Sequence, residues 1–152
     1  MPAADDFTVR YVSAADVRPL RREVLRVDMP EATVDFDGDE DPATFHLAVF
    51  DRSLSIVAVS SWMERPLIDE PSHRSIQLRG MATKAKLQGF GLGARLLETG
   101  CRNARENSID LIWANARDSA LNFYLRNGFE IIGDGFIENV TGLPHHRVRR
   151  IP

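Results

Sequence analysis

The six residues Gln88-Gly89-Phe90-Gly91-Leu92-Gly93 carry the clearest chemical pattern in the chain. Glycine permits positive φ and has no Cβ to hold a ligand away from the backbone. Leu92, Leu96, Leu97, Cys101 and Ala104 then recur at helical spacing, with Arg95, Glu98, Arg102 and Arg105 between them. A helix that starts in such a turn points free N–H groups and the positive end of its dipole outward. That arrangement is an anion site suited to phosphate; the plain alternative is a tight, closely packed turn. The dinucleotide fingerprint is not met, because the third glycine is misplaced. Nor is the Walker A loop, because Ala94-Arg95 follows Gly93 where Lys-Ser/Thr is required.

Two separated stretches together resemble the GNAT superfamily of N-acetyltransferases. The acyl-CoA loop of that family reads Gln or Arg, two residues, Gly, one residue, Gly or Ala. Gln88, Gly91 and Gly93 match it position by position, and Leu78-Arg79-Gly80-Met81-Ala82-Thr83 looks like the fourth strand that leads into it. Downstream, Asn115 followed by Ala120-Leu121-Asn122-Phe123-Tyr124-Leu125-Arg126-Asn127-Gly128-Phe129 is similar to the family's Asn…A-x-x-F-Y-x-x-x-G-F segment.

The resemblance implies direct transfer of an acetyl group from acetyl-CoA to a primary amine, with no metal. It places the cofactor on Met81, Ala82, Thr83, Gln88, Gly89, Phe90, Gly91, Leu92, Gly93, Ala94, Asn115 and Asn122. The pyrophosphate would lie on the N–H groups of Gly89 to Ala94, and a strand N–H near Met81 would polarise the thioester carbonyl. Tyr124 matches the tyrosine that serves as general acid beside the sulfur. Gly142-Leu143-Pro144-His145 resembles a Gly-x-Pro-His segment near the C-terminus of some small members, which makes His145 a second catalytic candidate. An ammonium must lose a proton before it attacks. Gln77 stands where some members carry a glutamate, so Glu64, Glu138, His145 and His146 all remain open as the base, as does a water chain. Small members are often dimers, so a homodimer is an expectation too.

Each of these residues also has a plain reading. Tyr124 can be a half-buried core tyrosine, Asn115 a strand-end residue and Asn122 a helix-surface residue. Adjacent His145 and His146 on a strand point to opposite faces and make a poor metal pair. His46 and His73 read as satisfied core or surface residues, and Cys101 as packing on an apolar helix face. Five acids fall in the seven positions Asp35 to Asp41. That run reads either as a solvated loop or as an acidic wall that favours a cationic acceptor. Arg147, Arg149 and Arg150 read as a solvated basic tail.

The elements that must position these groups follow from periodicity and punctuation. Phe7–Val12 alternates as a strand, and Ser13 can cap a helix to about Val27, with Pro19 in its first turns or breaking it. Residues 28–44 read as loop. Phe45–Phe50 and Leu54–Glu64 form a hairpin about Asp51–Ser53, and Ile76–Thr83 is a third strand. The glycine turn leads into a helix to about Asn107, then a strand Ile109–Asn115. Asp118 is a candidate N-cap for a short helix that Asn127-Gly128 ends. Phe129–Gly133 and Glu138–Arg149 close the sheet. The class is α/β (α+β), a mixed central sheet of about seven strands flanked by helices, as a GNAT fold requires.

At 152 residues, 43% hydrophobic and 27% charged, the chain reads as one soluble domain over 1–152. A net charge of −3 gives no general pull toward nucleic acid or an anionic membrane. One cysteine excludes a disulfide framework and a cysteine-rich zinc site. No apolar run is long enough to span a bilayer and no basic leader precedes one, so the cytoplasm is the expected compartment. Two rival functions remain: an acyl-CoA binder or sensor without turnover, disfavoured by Tyr124, and a phosphate-binding module unrelated to CoA, disfavoured by the Asn115–Phe129 segment.

Overall fold

The computed structural model describes residues 2–152, which fall into two compact units. The first takes residues up to Met63 together with Gly80–Gly100; the second takes Glu64–Arg79 and Cys101–Pro152. The strands are β1 Thr8–Val12, β2 Phe45–Phe50, β3 Ile56–Glu64, β4 Ser75–Thr83, β5 Leu111–Arg117, β6 Glu130–Ile137 and β7 Pro144–Arg150. They are hydrogen-bonded in the order β1-β2-β3-β4-β5-β7-β6, a seven-stranded sheet. It is mixed: β4 runs parallel to β5, whereas β1/β2, β2/β3, β5/β7 and β6/β7 are antiparallel. The helices are α1 Ala14–Leu20, α2 Leu92–Glu106 and α3 Leu121–Arg126. Among the described residues no helix is long and apolar enough to cross a membrane.

In the first unit, α1 buries Val17 and Leu20 against Ala48, Val59 and Ala82. Its start is tied by Asp16, whose Oδ2 accepts the Ser13 N–H at 3.0 Å and the Ser13 hydroxyl at 2.9 Å. The expected helix to Val27 changes type on the way. Pro19 has no N–H for the ladder, and residues Arg21–Leu25 open into a π-helical turn. That turn aims arginines at the following connection, which supplies few backbone partners of its own. Arg22, Arg26 and Arg21 donate to the consecutive carbonyls of Ala32, Thr33 and Val34 at 2.8, 3.1 and 2.8 Å.

The hairpin turn is longer than expected. Leu54 takes a left-handed φ of 62°, and the Asp51 carboxylate accepts from Ser53 N and Ser55 N, both at 2.9 Å, so β3 begins only at Ile56. Trp62, fully buried in β3, stacks on Phe45 and donates through Nε1 to Ser60 Oγ. Its ring lies against Gly100 of α2, where a Cβ would stand 2.0 Å from Trp62 Cζ2. Gly100→Ala should therefore overpack the first unit and cost roughly 3 kcal/mol or more. A denaturant midpoint equal to that of the parent would refute this contact.

In the second unit, Ser75, Ile76 and Gln77 of β4 pair with Leu111, Ile112 and Trp113 of β5. Leu67, Leu111 and Trp113 form a buried cluster. Two expected boundaries move here. β5 runs to Arg117, and residues 138–143 are a turn outside the last strand, in which the Glu138 carboxylate accepts the Val140 and Thr141 N–H groups. The three arginines expected as a solvated tail lie in β7 and are engaged. Arg147 bonds Asn115, Arg149 pairs with Glu70 and Glu130, and Arg150 bonds the Asn127 carbonyl.

Candidate active site

The glycine turn lies wholly within the first unit. Gly89 and Gly91 have φ of 88° and 82°, values that side-chain-bearing residues rarely adopt, and no atom lies within 4 Å of where either Cβ would stand. The space before the turn is therefore open, and the fifteen-residue helix α2 starts at Leu92. Leu92, Leu96, Leu97, Cys101 and Ala104 are all buried, as the periodicity predicts. Gln88 closes the mouth of the loop by donating from Nε2 to the Thr83 carbonyl at 3.1 Å. Arg95, in the first turns of α2, donates to the carbonyls of Ala4 and Phe7, both at 3.1 Å, which anchors the helix start. What remains is a run of backbone N–H groups at a helix N-terminus with open space beside its glycines.

In the second unit, Tyr124 is buried in α3, with its ring edge-on to Phe123 and to Phe129, both at 5.2 Å between centroids. Burial pushes its phenol above the ordinary value of 10. Leu125, the next residue, is exposed, and the buried Phe129 packs against the tyrosine ring instead. Gly128, with φ of 87°, ends the helix as the Asn-Gly pair predicts. Asp118 does not cap the helix. A 3₁₀ turn Asp118–Ala120 precedes α3, and the Asp118 carboxylate instead meets His146 Nδ1 at 2.6 Å. Asn115 and Asn122 are both exposed, and Asn115 Oδ1 accepts from Arg147 Nε at 3.2 Å.

Residues 46–131 match the acetyltransferase (GNAT) domain family. The chain belongs to that family. It is 28% identical over 141 residues to the uncharacterized N-acetyltransferase YitI of Bacillus subtilis (strain 168), covering 92% of each chain. An acyl-CoA N-acyltransferase from Pseudomonas aeruginosa has the same fold, with a TM-score of 0.75 at 21% identity over 95% of this chain and 99% of that one. So does a GCN5-related N-acetyltransferase from Kribbella flavida, with a TM-score of 0.75 at 19% identity over 99% and 100% of the two chains. This GNAT chain is thus an acyltransferase, and its family uses an acyl-CoA as co-substrate.

The candidate bases of this GNAT chain sit in unequal settings. Glu64 is held by Arg74 at 2.6 and 3.2 Å, and Glu138 is spent on its own turn. His145 is buried and its ring stacks on Phe136. Its Nδ1 lies 2.9 Å from the Leu143 carbonyl, which can only accept, so in the neutral ring the proton is on Nδ1 and Nε2 carries the lone pair. His146 faces the opposite side of β7, as strand alternation predicts. Among the described residues no three metal-ligating side chains gather into a site.

The acidic run is not a bare wall. Asp39 is 5% exposed and accepts both η nitrogens of Arg21, at 2.8 and 2.9 Å. Arg18 pairs with Asp35 and Glu40 at 2.8 and 2.9 Å. Asp41 bonds the Ala43 N–H. Three of the five acids of the run, Asp35, Asp39 and Glu40, are thus paired with arginines of α1 and the π-turn, one helical turn apart. His46 is the satisfied core histidine expected, with Nδ1 2.6 Å from Ser61 Oγ and Nε2 3.0 Å from the Asp39 carbonyl. Sequence reasoning missed Arg21. Nothing in the periodicity of an amphipathic helix marks which of its arginines will be buried, but five acids a short loop away were a usable signal.

Proposed function

We propose that residues 1–152 act as one GNAT domain that transfers an acetyl group from acetyl-CoA to the primary amine of a small molecule by direct attack. The observation that carries this reading is the open turn at Gly89 and Gly91, running into the N-terminus of α2. Acetyl-CoA supplies the activated acyl group. Its pyrophosphate rests on the N–H groups from Gly89 to Ala94, with Gln88, Phe90, Leu92 and Gly93 shaping the loop. Met81, Ala82 and Thr83 lie along the acyl arm, and Asn115 and Asn122 contribute polar contacts. The Met81 N–H meets the charge that grows on the thioester oxygen. His145 accepts a proton from the amine through Nε2, and Tyr124 gives one to the departing sulfur.

The test is Gly91→Asp, which puts a carboxylate and a Cβ where the diphosphate approaches. Acetyl-CoA binding, measured by calorimetry, should weaken by at least about tenfold, roughly 1.4 kcal/mol. A folded variant that binds as tightly as the parent would refute the loop assignment. Release of free thiol from acetyl-CoA over a library of primary amines separates an enzyme from a binder without turnover.

A further inference from the structure

Arg21 is the most deeply buried charge in the first unit, with no exposed surface. Its Nη1 donates to the Val34 carbonyl and to Asp39, and its Nη2 to Asp39 and, at 2.7 Å, to Ser61 Oγ. The Asp39 carbonyl can only accept, so His46 Nε2 carries the proton and His46 Nδ1 accepts from the Ser61 hydroxyl. The network is thereby fixed in one sense from the loop through β3 to β2. One donor stands outside it: Arg21 Nε, buried and without a partner among the described residues.

That nitrogen lies against β4. A Cβ on Gly80 would sit 3.0 Å from Arg21 Nε and 3.1 Å from Phe36 Cε2. The guanidinium is stacked over the same Phe36 ring at 3.9 Å. Gly80 itself has φ of 61°, a left-handed residue in the middle of a strand. Such a residue breaks strand alternation and redirects the next peptide, here the one that carries the Met81 N–H. Burial along the strand changes around this residue: Ser75 to Leu78 are buried, Arg79 to Met81 only half-buried, and Ala82 buried again. An apolar contact would hold loop to strand without the cost of burying an ion pair. What the ion pair adds is a planar group fixed in orientation by four hydrogen bonds, pressed on the residue before the proposed donor.

We propose that Arg21 is a positioning residue for acetyl transfer: with Phe36, it holds Gly80 in its left-handed conformation and so sets the direction of the Met81 N–H. This rests on the reading that the Met81 N–H meets the thioester oxygen. A donor of this kind acts only when held close to its working geometry before the reaction.

The experiment compares the parent with Arg21→Met/Asp39→Asn, which removes both charges so that neither is orphaned, and with Gly80→Ala, which disturbs the same contact from the strand side. Each protein is loaded with acetyl-CoA carrying ¹³C at the thioester carbonyl, and the bound carbonyl stretch is read by isotope-edited infrared spectroscopy beside kcat, KM and the dissociation constant. The parent should show a carbonyl frequency below that of free acetyl-CoA. Both variants should lose most of that displacement and about 10²-fold in kcat, with acetyl-CoA affinity unchanged. A variant that keeps the parental displacement and kcat overturns the role of Arg21 and leaves the Met81 reading standing. A parent with no displacement overturns both. If the double variant does not fold, Arg21→Lys, which keeps the charge and loses the planar fork stacked on Phe36, takes its place with the same expected losses.

Discussion

Tyr124→Phe is expected to lower kcat by about 10²–10⁴-fold while acetyl-CoA affinity stays nearly unchanged. The substitution removes one hydroxyl and keeps the ring between Phe123 and Phe129, so packing is preserved. When the C–S bond breaks, CoA departs as a thiolate unless a proton arrives with it. Burial raises the phenol above its ordinary value, so the acid form persists through neutral and mildly alkaline solution. It follows that ionisation of Tyr124 should add no falling limb to the pH profile of kcat below about pH 10. In the proposed role the proton would leave in concert with bond cleavage, since a buried phenolate is costly. The decisive measurement is kcat under conditions where chemistry limits turnover, taken beside the acetyl-CoA dissociation constant. Parental kcat in the variant would make Tyr124 a packing residue and leave the sulfur to take its proton from water.

The second large effect is on stability. Arg21→Met leaves the Asp39 carboxylate buried without its bidentate partner, with only Arg18 left at 3.8 Å, which should cost roughly 3–5 kcal/mol. For a chain of this size that lowers Tm by roughly 6–20 °C. The pH dependence gives the mechanism away. In the parent, burial alone would raise the Asp39 carboxyl, but the Arg21 hydrogen bonds, the Phe36 N–H and the guanidinium charge outweigh it and hold the carboxyl below its ordinary value. A depressed folded value means the pair's contribution is complete above the unfolded value of about 3.9 and is lost as pH falls below it. In Arg21→Met the largest counterweight to burial is gone and the Phe36 N–H and Arg18, 3.8 Å away, oppose it less, so protonating Asp39 costs the folded state less than in the parent. The deficit relative to the parent should therefore shrink as pH falls from 7 toward 4. Thermal unfolding followed across that range checks it: a deficit that does not change with pH would mean that Arg21 contributes packing and that its charge is immaterial.

What was legible in the sequence is what local chemistry controls. A glycine turn before an amphipathic run needs only its own residues to produce left-handed backbone, open space and a helix start, and Gly89, Gly91 and Leu92 behave so. The same holds for the Asn127-Gly128 stop, the placing of β1 at Thr8–Val12 and the opposed faces of His145 and His146. Family membership was legible for the same reason, because both motifs are contiguous stretches. What only the tertiary structure decided are the places where a polar group had more than one partner in reach. Asp118 could cap a helix or bond His146, and β7 brought the histidine to it. Leu54 and Glu138 were expected in strands, yet a left-handed residue and a carboxylate bonded to its own turn keep both out. The Trp62 ring fills the space where a Cβ on Gly100 would be, a contact between distant parts of the chain that the helix pattern does not show. The acids of 35–41 could face solvent, a ligand or a cation of the fold. The π-turn after Pro19 swung Arg21 under them, because a buried carboxylate and a buried guanidinium are tolerable only together.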